Sequence, residues 1–296
     1  MILAGLDIGG TQIKGAAFDE SGRRLASALT PGEALCGSAW LESVREALAI
    51  LERETGAPIH HVGLAAPGRT SPDGRSICEM PGRLAGLVGL DWTEYLQRSR
   101  PVPILNDAQA ALLGEVWCGA AQGLQDCFML TLGTGVGGAI LSGGRLLTGA
   151  AGRAGHLGHI SLDPDGSPGI VNTPGSLEDA VGNHTVARRS GGRWEMTRDL
   201  LAALEAGNAE ARRVWMRSIR ALAAGIASLI NVLDPAAVIL GGGIMAAGAQ
   251  LLDPLHAALD EMEWKLNGNR VPIIPAALGD IAGACGAAAR ALELTR

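Results

Sequence analysis

Ile2-Leu3-Ala4-Gly5-Leu6-Asp7-Ile8-Gly9-Gly10-Thr11-Gln12-Ile13-Lys14, at the head of the chain, decides the fold. Ile2–Leu6 is an apolar run of strand length, Asp7–Thr11 breaks it, and Ile13–Phe18 resumes an extended pattern, which predicts a hairpin joined by a Gly-Gly turn. The device returns further along. Phe128–Leu132 predicts a strand, Gly133-Thr134-Gly135-Val136-Gly137-Gly138 a glycine turn, and Ala139–Leu141 a second strand ended by Gly143-Gly144. Such a repeat is expected where two similar subdomains each contribute one loop to a shared cleft.

The intervening segments alternate helix and strand. Leu41, Val44, Leu48 and Leu51 lie at the spacing of one helix face within Trp40–Leu51, and Val62–Ala65 follows as a buried strand. Pro103–Leu105 predicts a short strand leading into Asn106-Asp107, with an Ala- and Leu-rich helix over Ala108–Ala121. Asp163–Gly192 reads as a long loop with a short helix at Ser176–Val181. Glu210–Val232 predicts a long helix stopped by Pro235, Ala237–Leu240 a strand entering a third glycine turn, Gly241-Gly242-Gly243, and Ile281–Leu292 a closing helix. The class is α/β.

At 296 residues the chain has room for about two domains. Lys and Arg number 24 against 30 Asp and Glu, a net charge of −6, so no basic field draws it to nucleic acid or to an anionic membrane. Ala236–Ala249, the longest nearly apolar stretch, is interrupted by Gly241-Gly242-Gly243 and falls short of the ~20 residues a spanning helix needs. No transmembrane helix is expected. Without a basic leader before Asp7, the expected compartment is the cytoplasm. The five cysteines are scattered and form no C-x-x-C pair, so they are expected as reduced residues rather than a disulfide framework or a zinc cluster.

Gly133–Gly138 matches G-x-G-x-x-G, but a dinucleotide fingerprint needs a helix after the turn and an acid about 20 residues on, whereas a strand follows here and Arg153–Gly158 holds no acid. No P-loop pattern occurs either. A glycine hairpin still suits phosphate, because backbone without Cβ atoms comes close to the anion and presents successive N–H groups. A tight bend with no ligand is the alternative for any single turn. Asp7 at one entrance is a candidate for Mg²⁺, held through water.

Leu6–Lys14, Leu105-Asn106-Asp107-Ala108, Leu132–Gly138, Gly158-His159, Asp234-Pro235 with Gly241–Gly243, and Leu278-Gly279-Asp280 resemble, in order and over essentially the whole chain, the motifs of the ROK sugar kinases of the actin-like ATPase superfamily. The resemblance implies two ribonuclease-H-like α/β domains around a central cleft. Residues 1–107, completed by 282–296, would form the smaller, and 108–281 the larger. It also implies ATP with Mg²⁺, a sugar as partner, and phosphorylation of a hexose hydroxyl, the 6-hydroxyl of glucose, fructose, mannose or an N-acetylhexosamine. Homodimerisation follows from the resemblance alone.

Carried onto this chain, the resemblance makes Asp107 the general base that takes the sugar hydroxyl's proton. Asn106, His156, His159, Glu178 and Gly68 would contact the sugar. Asp7, Gly9, Gly10, Thr11, Lys14, Gly133, Thr134, Gly135, Gly242 and Gly243 would hold the nucleotide, with Asp7 on Mg²⁺. The local alternatives stay open. Asn-Asp at a strand end also suits a helix cap, and Lys14 also suits a solvated strand face.

Three departures stand out. The family's zinc cysteines would fall at Gly169, Val171 and Ser176, none of them a thiolate, so no structural zinc is expected, and Pro168, Pro174 and backbone bonds are left to stiffen the loop. His156 replaces a usual Glu, exchanging a carboxylate's acceptors for one donor and one acceptor and bearing on hydroxyl preference. Pro81-Gly82-Arg83-Leu84 has Arg83 where an Asn is common. Sugar-responsive repressors share the family but carry an N-terminal helix-turn-helix, for which six residues before Asp7 leave no room. A catalytically silent sugar or nucleotide sensor is the alternative function. An actin-like ATPase that moves a protein partner is a third, weakened by the sugar-side pattern.

Overall fold

A computed structural model describes residues 1–32, 38–80 and 84–295. The chain forms two compact units: Met1–Leu124 with Arg145–Gly155 and Ala276–Arg296, and Gln125–Gly144 with His156–Pro275.

The first unit is built on β1 (Leu3–Ile8), β2 (Gln12–Phe18), β3 (Arg24–Pro31), β4 (His61–Ala66) and β5 (Ile104–Asn106), in the order β3-β2-β1-β4-β5. β1 is antiparallel to β2 and parallel to β4. Its side chains alternate, and both faces are covered. Ala4, Leu6 and Ile8 pack with Trp40, Val44 and Leu51 of α1 (Trp40–Thr55), whereas Leu3 packs with Phe18, Ala284 and Ala288 on the other side. Period two therefore puts Asp7 on the face of Leu3 and Gly5, which the C-terminal helix (Ala282–Glu293) covers. That helix lies almost on the backbone of the sheet. A Cβ at Gly5 would stand 1.7 Å from the Ala284 carbonyl oxygen, and one at its cross-strand partner Gly63 1.9 Å from that of Ala287. Gly5→Ala is expected to cost about 3 kcal/mol or more, read as a fall in the urea midpoint. An unchanged midpoint would mean that the helix does not sit there.

The second unit repeats the plan with β6 (Cys127–Leu132), β7 (Val136–Ser142), β8 (Ala237–Gly241) and β9 (Ile273–Pro275), in the order β7-β6-β8-β9. β6 is antiparallel to β7 and parallel to β8, as β1 is to β2 and β4. Both units thus carry the ribonuclease-H-like sheet order implied by the sequence.

The structure corrects several expectations. The first division falls after Leu124, not after Asp107, and leaves the first unit the larger. The reason is α2 (Asp107–Cys118), which packs along the C-terminal helix so closely that a Cβ at Gly286 would lie 1.7 Å from the Ala110 carbonyl oxygen. β3, a helix at Thr197–Glu205 and another at Ala249–Met262 carry no signal that the sequence reading used. The helix Ala209–Leu233 is long and apolar enough to cross a membrane by length and composition, unlike Ala236–Ala249. One face of it, with Val214, Trp215, Ile219, Leu222 and Ile226, is built into the core of the second unit. Arg83 and Cys36 lie outside the described residues.

Candidate active site

In the first unit the sheet and two helix starts converge on three carboxylates. Asp7, the last residue but one of β1, lies opposite Lys14 of β2, and the Lys14 ammonium reaches the Asp280 carboxylate at 3.1 Å. The start of the C-terminal helix lies against Asp7, since a Cβ at Gly283 would stand 2.5 Å from its Oδ2. Burial pushes the Asp7 carboxyl up to about 7, the negative charges of Asp107 and Asp280 push the same way, and Lys14 opposes them. Lys14 is thus engaged rather than a bare solvated face.

Asp107 is the first residue of α2, where the helix's positive end favours a carboxylate. It is open to solvent on one side, yet the protein crowding its carboxyl raises the pKa, while hydrogen bonds from Ala108 N–H and the Asn106 side chain pull it down. Asn106 is the N-cap. Its Oδ1 accepts from Ala108 N–H at 3.0 Å, its Nδ2 donates to the Gly68 carbonyl at 3.0 Å, and Gln109 closes a capping box. The cap reading of Asn-Asp is the one seen here, and the cap holds Asp107 at the end of β5. Gly68 has φ +109°, and a Cβ there would strike the Glu79 carbonyl oxygen at 2.7 Å, so the strand-end turn beside Asn106 requires glycine.

The turn of the first hairpin is tied down by Gly9 N–H to the Gln12 carbonyl, and Gly32 N–H donates to the Thr11 carbonyl. Gly10 lies between them. Sequence reasoning missed Glu115 of α2. Wholly buried, it accepts from the N–H groups of Ala120, Ala277 and Leu278 at 2.7, 3.0 and 2.8 Å, anchoring the segment that delivers Asp280. Nothing local marks a helix-end Glu as a receptor for backbone 162 and 163 residues away, so no sequence signal pointed to it.

In the second unit the turn Gly133-Thr134-Gly135 between β6 and β7 is held from outside. Asn183 and His184 N–H donate to the carbonyls of Gly133 and Thr134, and His184 Nδ1 lies 2.8 Å from the Thr134 oxygen, a carbonyl to which it can only donate. Val136 N–H donates to Glu178 Oε2 at 2.9 Å. A Cβ on Gly135 would stand 2.1 Å from that oxygen, so Glu178 and the turn belong to one structure. Glu178 lies in the first turn of a short helix, Leu177–Val181, capped by Ser176. His159 ends a helical turn, Leu157–His159, and its ring stacks parallel to that of His156 at 6.2 Å. Gly158 sits flat against Val136, where a Cβ would come within 1.8 Å of the carbonyl oxygen. Gly242 has φ +91° and packs on Leu132; it and Gly243 are exposed.

Where the family's cysteines would stand, Ser176 Oγ caps the helix, Gly169 N–H bonds to the Thr173 carbonyl, and Val171 is exposed. Gly175 N–H bonds to the Ser167 carbonyl, and Pro168 pairs with Pro174. Among the described residues no group of three or more His, Cys, Asp or Glu side chains is placed to share a metal ion.

The model of the ROK family matches residues 3–293. The chain belongs to the ROK family. A ROK hexokinase from Thermus thermophilus superposes with a TM-score of 0.88 at 33% identity, each chain covered over 100%. A ROK family glucokinase from Streptomyces griseus, in complex with glucose and AMPPNP, superposes with a TM-score of 0.81 at 27% identity over 99% of this chain and 100% of its own. An N-acetylmannosamine kinase from Citrobacter koseri is 32% identical over 86% of this chain and 88% of its own. The chain is, with these ROK relatives, a sugar kinase.

Proposed function

We propose that the chain transfers the γ-phosphoryl group of ATP to the 6-hydroxyl of a hexose or N-acetylhexosamine, with Asp107 as the general base. The observation that carries this is the placement of Asp107: a carboxylate at a helix start, open to solvent, its pKa raised, lifted into place by a cap that also binds Gly68. A carboxylate poised above its ordinary range takes a proton from an alcohol more readily than an ordinary one.

The first unit's own residues divide the remaining work. Asp7 and Asp280 are hard oxygen donors beside Lys14, and the charge of Asp107 also reaches Asp7, an acidic neighbourhood that suits a divalent cation. Asp7 would hold Mg²⁺ through water, and the ion, when bound, would neutralise charge on the phosphates. Gly9, Gly10, Thr11 and Lys14 would approach the phosphates from the first hairpin, Gly133, Thr134 and Gly135 from the second, and Gly242 and Gly243 would lie near the adenosine. Donation by ATP is supported by the AMPPNP complex of the Streptomyces relative. Asn106, Gly68, His156, His159 and Glu178 would bind sugar hydroxyls. His156 in place of a carboxylate alters the acceptor set there, so the sugar preference need not follow that of any one relative. We place the enzyme in the cytoplasm as a homodimer.

Sugar-dependent ADP release from Mg-ATP, across glucose, fructose, mannose, N-acetylglucosamine and N-acetylmannosamine, tests this. Turnover with one or a few sugars is expected, and His156→Glu should reorder them. Silence throughout with nucleotide still bound would instead favour a sensor of the same fold.

A further inference from the structure

Two cysteines that the proposed reaction does not use meet inside the first unit. Cys118 closes α2, Cys285 is the fourth residue of the C-terminal helix, and their sulfurs lie 2.9 Å apart. The contact is built in by the helix packing around it. A Cβ at Gly114 would stand 2.5 Å from the Ala282 carbonyl oxygen and 3.2 Å from the Cys285 Cβ, so the helices cannot be closer and the thiols are held face to face. Cys285 is fully buried, whereas Cys118 is half-buried and reachable.

The two thiols are unequal. The hydrogen bond between the two sulfurs draws the Cys118 thiol below its ordinary range. The same bond, with burial and the nearby Glu115 carboxylate, pushes Cys285 up. Cys118 is thereby the more readily ionised and the more exposed of the two, with Cys285 buried behind it, which suits an attacking and a resolving thiol. The other described cysteines differ. Cys78 Sγ lies against the Arg69 carbonyl at 3.2 Å, and burial raises buried Cys127 to about 11.

We propose that Cys118 and Cys285 are a redox modification site, which hydrogen peroxide converts to a reversible disulfide stapling α2 to the C-terminal helix. The Cys118 thiolate attacks one peroxide oxygen; the O–O bond breaks, a sulfenic acid forms, and hydroxide leaves. The Cys285 sulfur then attacks the sulfenyl sulfur; the S–S bond forms, the S–O bond breaks, and the departing hydroxides carry off the protons as water. Two thiols are oxidised by two electrons and one peroxide is reduced to two waters. A dithiol reductant reverses the bond. The linked residues are 167 apart in the chain, so the bond closes a long loop and restrains the unfolded state. It also makes one covalent body of the helix that starts at Asp107 and the helix whose start lies against Asp7. None of this depends on Asp107 being the base.

The test is hydrogen peroxide on the whole folded chain. Of five cysteines, three free thiols should remain. A non-reducing digest should show the Cys118–Cys285 peptide, and thermal unfolding should move up by about 5–10 °C, returning with dithiothreitol. Cys285→Ser should leave a sulfenic acid at Cys118 that a 1,3-dicarbonyl reagent captures, and Cys118→Ser should abolish the linked peptide. Melting both reduced variants checks that each is folded. A linked peptide that is absent, or that forms only in denaturant, would overturn the assignment, as would an oxidised chain that melts no higher than the reduced one.

Discussion

Asp107→Asn should lower kcat by about 10²–10⁴-fold while the dissociation constant for the sugar changes little. The loss is confined to turnover because the carboxylate is needed when the hydroxyl loses its proton, whereas Asn keeps the size of the side chain and the cap made by Asn106 and Gln109 remains. The wild-type pH profile carries the same information. The base works ionised, and its pKa is raised, so activity should fall with acid at a pH above the ordinary carboxylate range of about 4. Measured kcat and sugar affinity, each against pH, decide the matter. A variant that loses affinity at unchanged turnover would make Asp107 a binding residue and remove the general-base reading.

Asp7→Asn should abolish activity and stabilise the fold at neutral pH. In the folded chain the Asp7 carboxyl titrates at about 7 against 3.8 for an ordinary aspartate, so between those values the folded form holds a proton that the unfolded form has lost. Stability from this group is therefore present below pH 3.8 and is lost as pH rises to about 7. At pH 8 the wild type carries a half-buried charge among like charges, only partly met by Lys14. Removing it should gain about 1–3 kcal/mol, taken below the full linkage value because Lys14 and polar surroundings relieve the charge. That is about 2–4 °C per kcal/mol in the unfolding midpoint. At pH 4 variant and wild type should melt together. Mg-ATP should raise the wild-type midpoint more than the variant's, because binding to the folded form adds stability. A variant less stable at pH 8 would show that Asp7 serves the fold through its pairing with Lys14.

The repeated strand, glycine turn and strand, the helix faces of Trp40–Leu51 and Glu210–Val232, and the closing Ala-rich helix were legible because each is written in neighbouring residues. β3 was not, because Arg24–Pro31 buries alternate residues against α1 and pairs only with β2, and exposed positions such as Leu25 and Leu29 blur its pattern. The helix at Ala249–Met262 was hidden by Pro254 within it. Among the proposed site residues, Asp7, Asp107 and Glu178 were marked by their match to the family's pattern. Glu115 and His184 were not, since their partners are backbone groups far along the chain and backbone leaves no residue-specific trace.

What the sequence by itself determined is the pair of α/β units, the glycine turns, and the identity of the acids that end the strands, because period, turn chemistry and strand-end position are local quantities. What only the tertiary structure decided is the company those acids keep. Asp280 reaches Lys14, and Gly283 lies against Asp7, only because the C-terminal helix can rest on bare backbone at Gly5 and Gly63. The charge state of Asp7 follows from that packing, since a pKa is set by which charges and how little water surround a group in space, and chain order records neither.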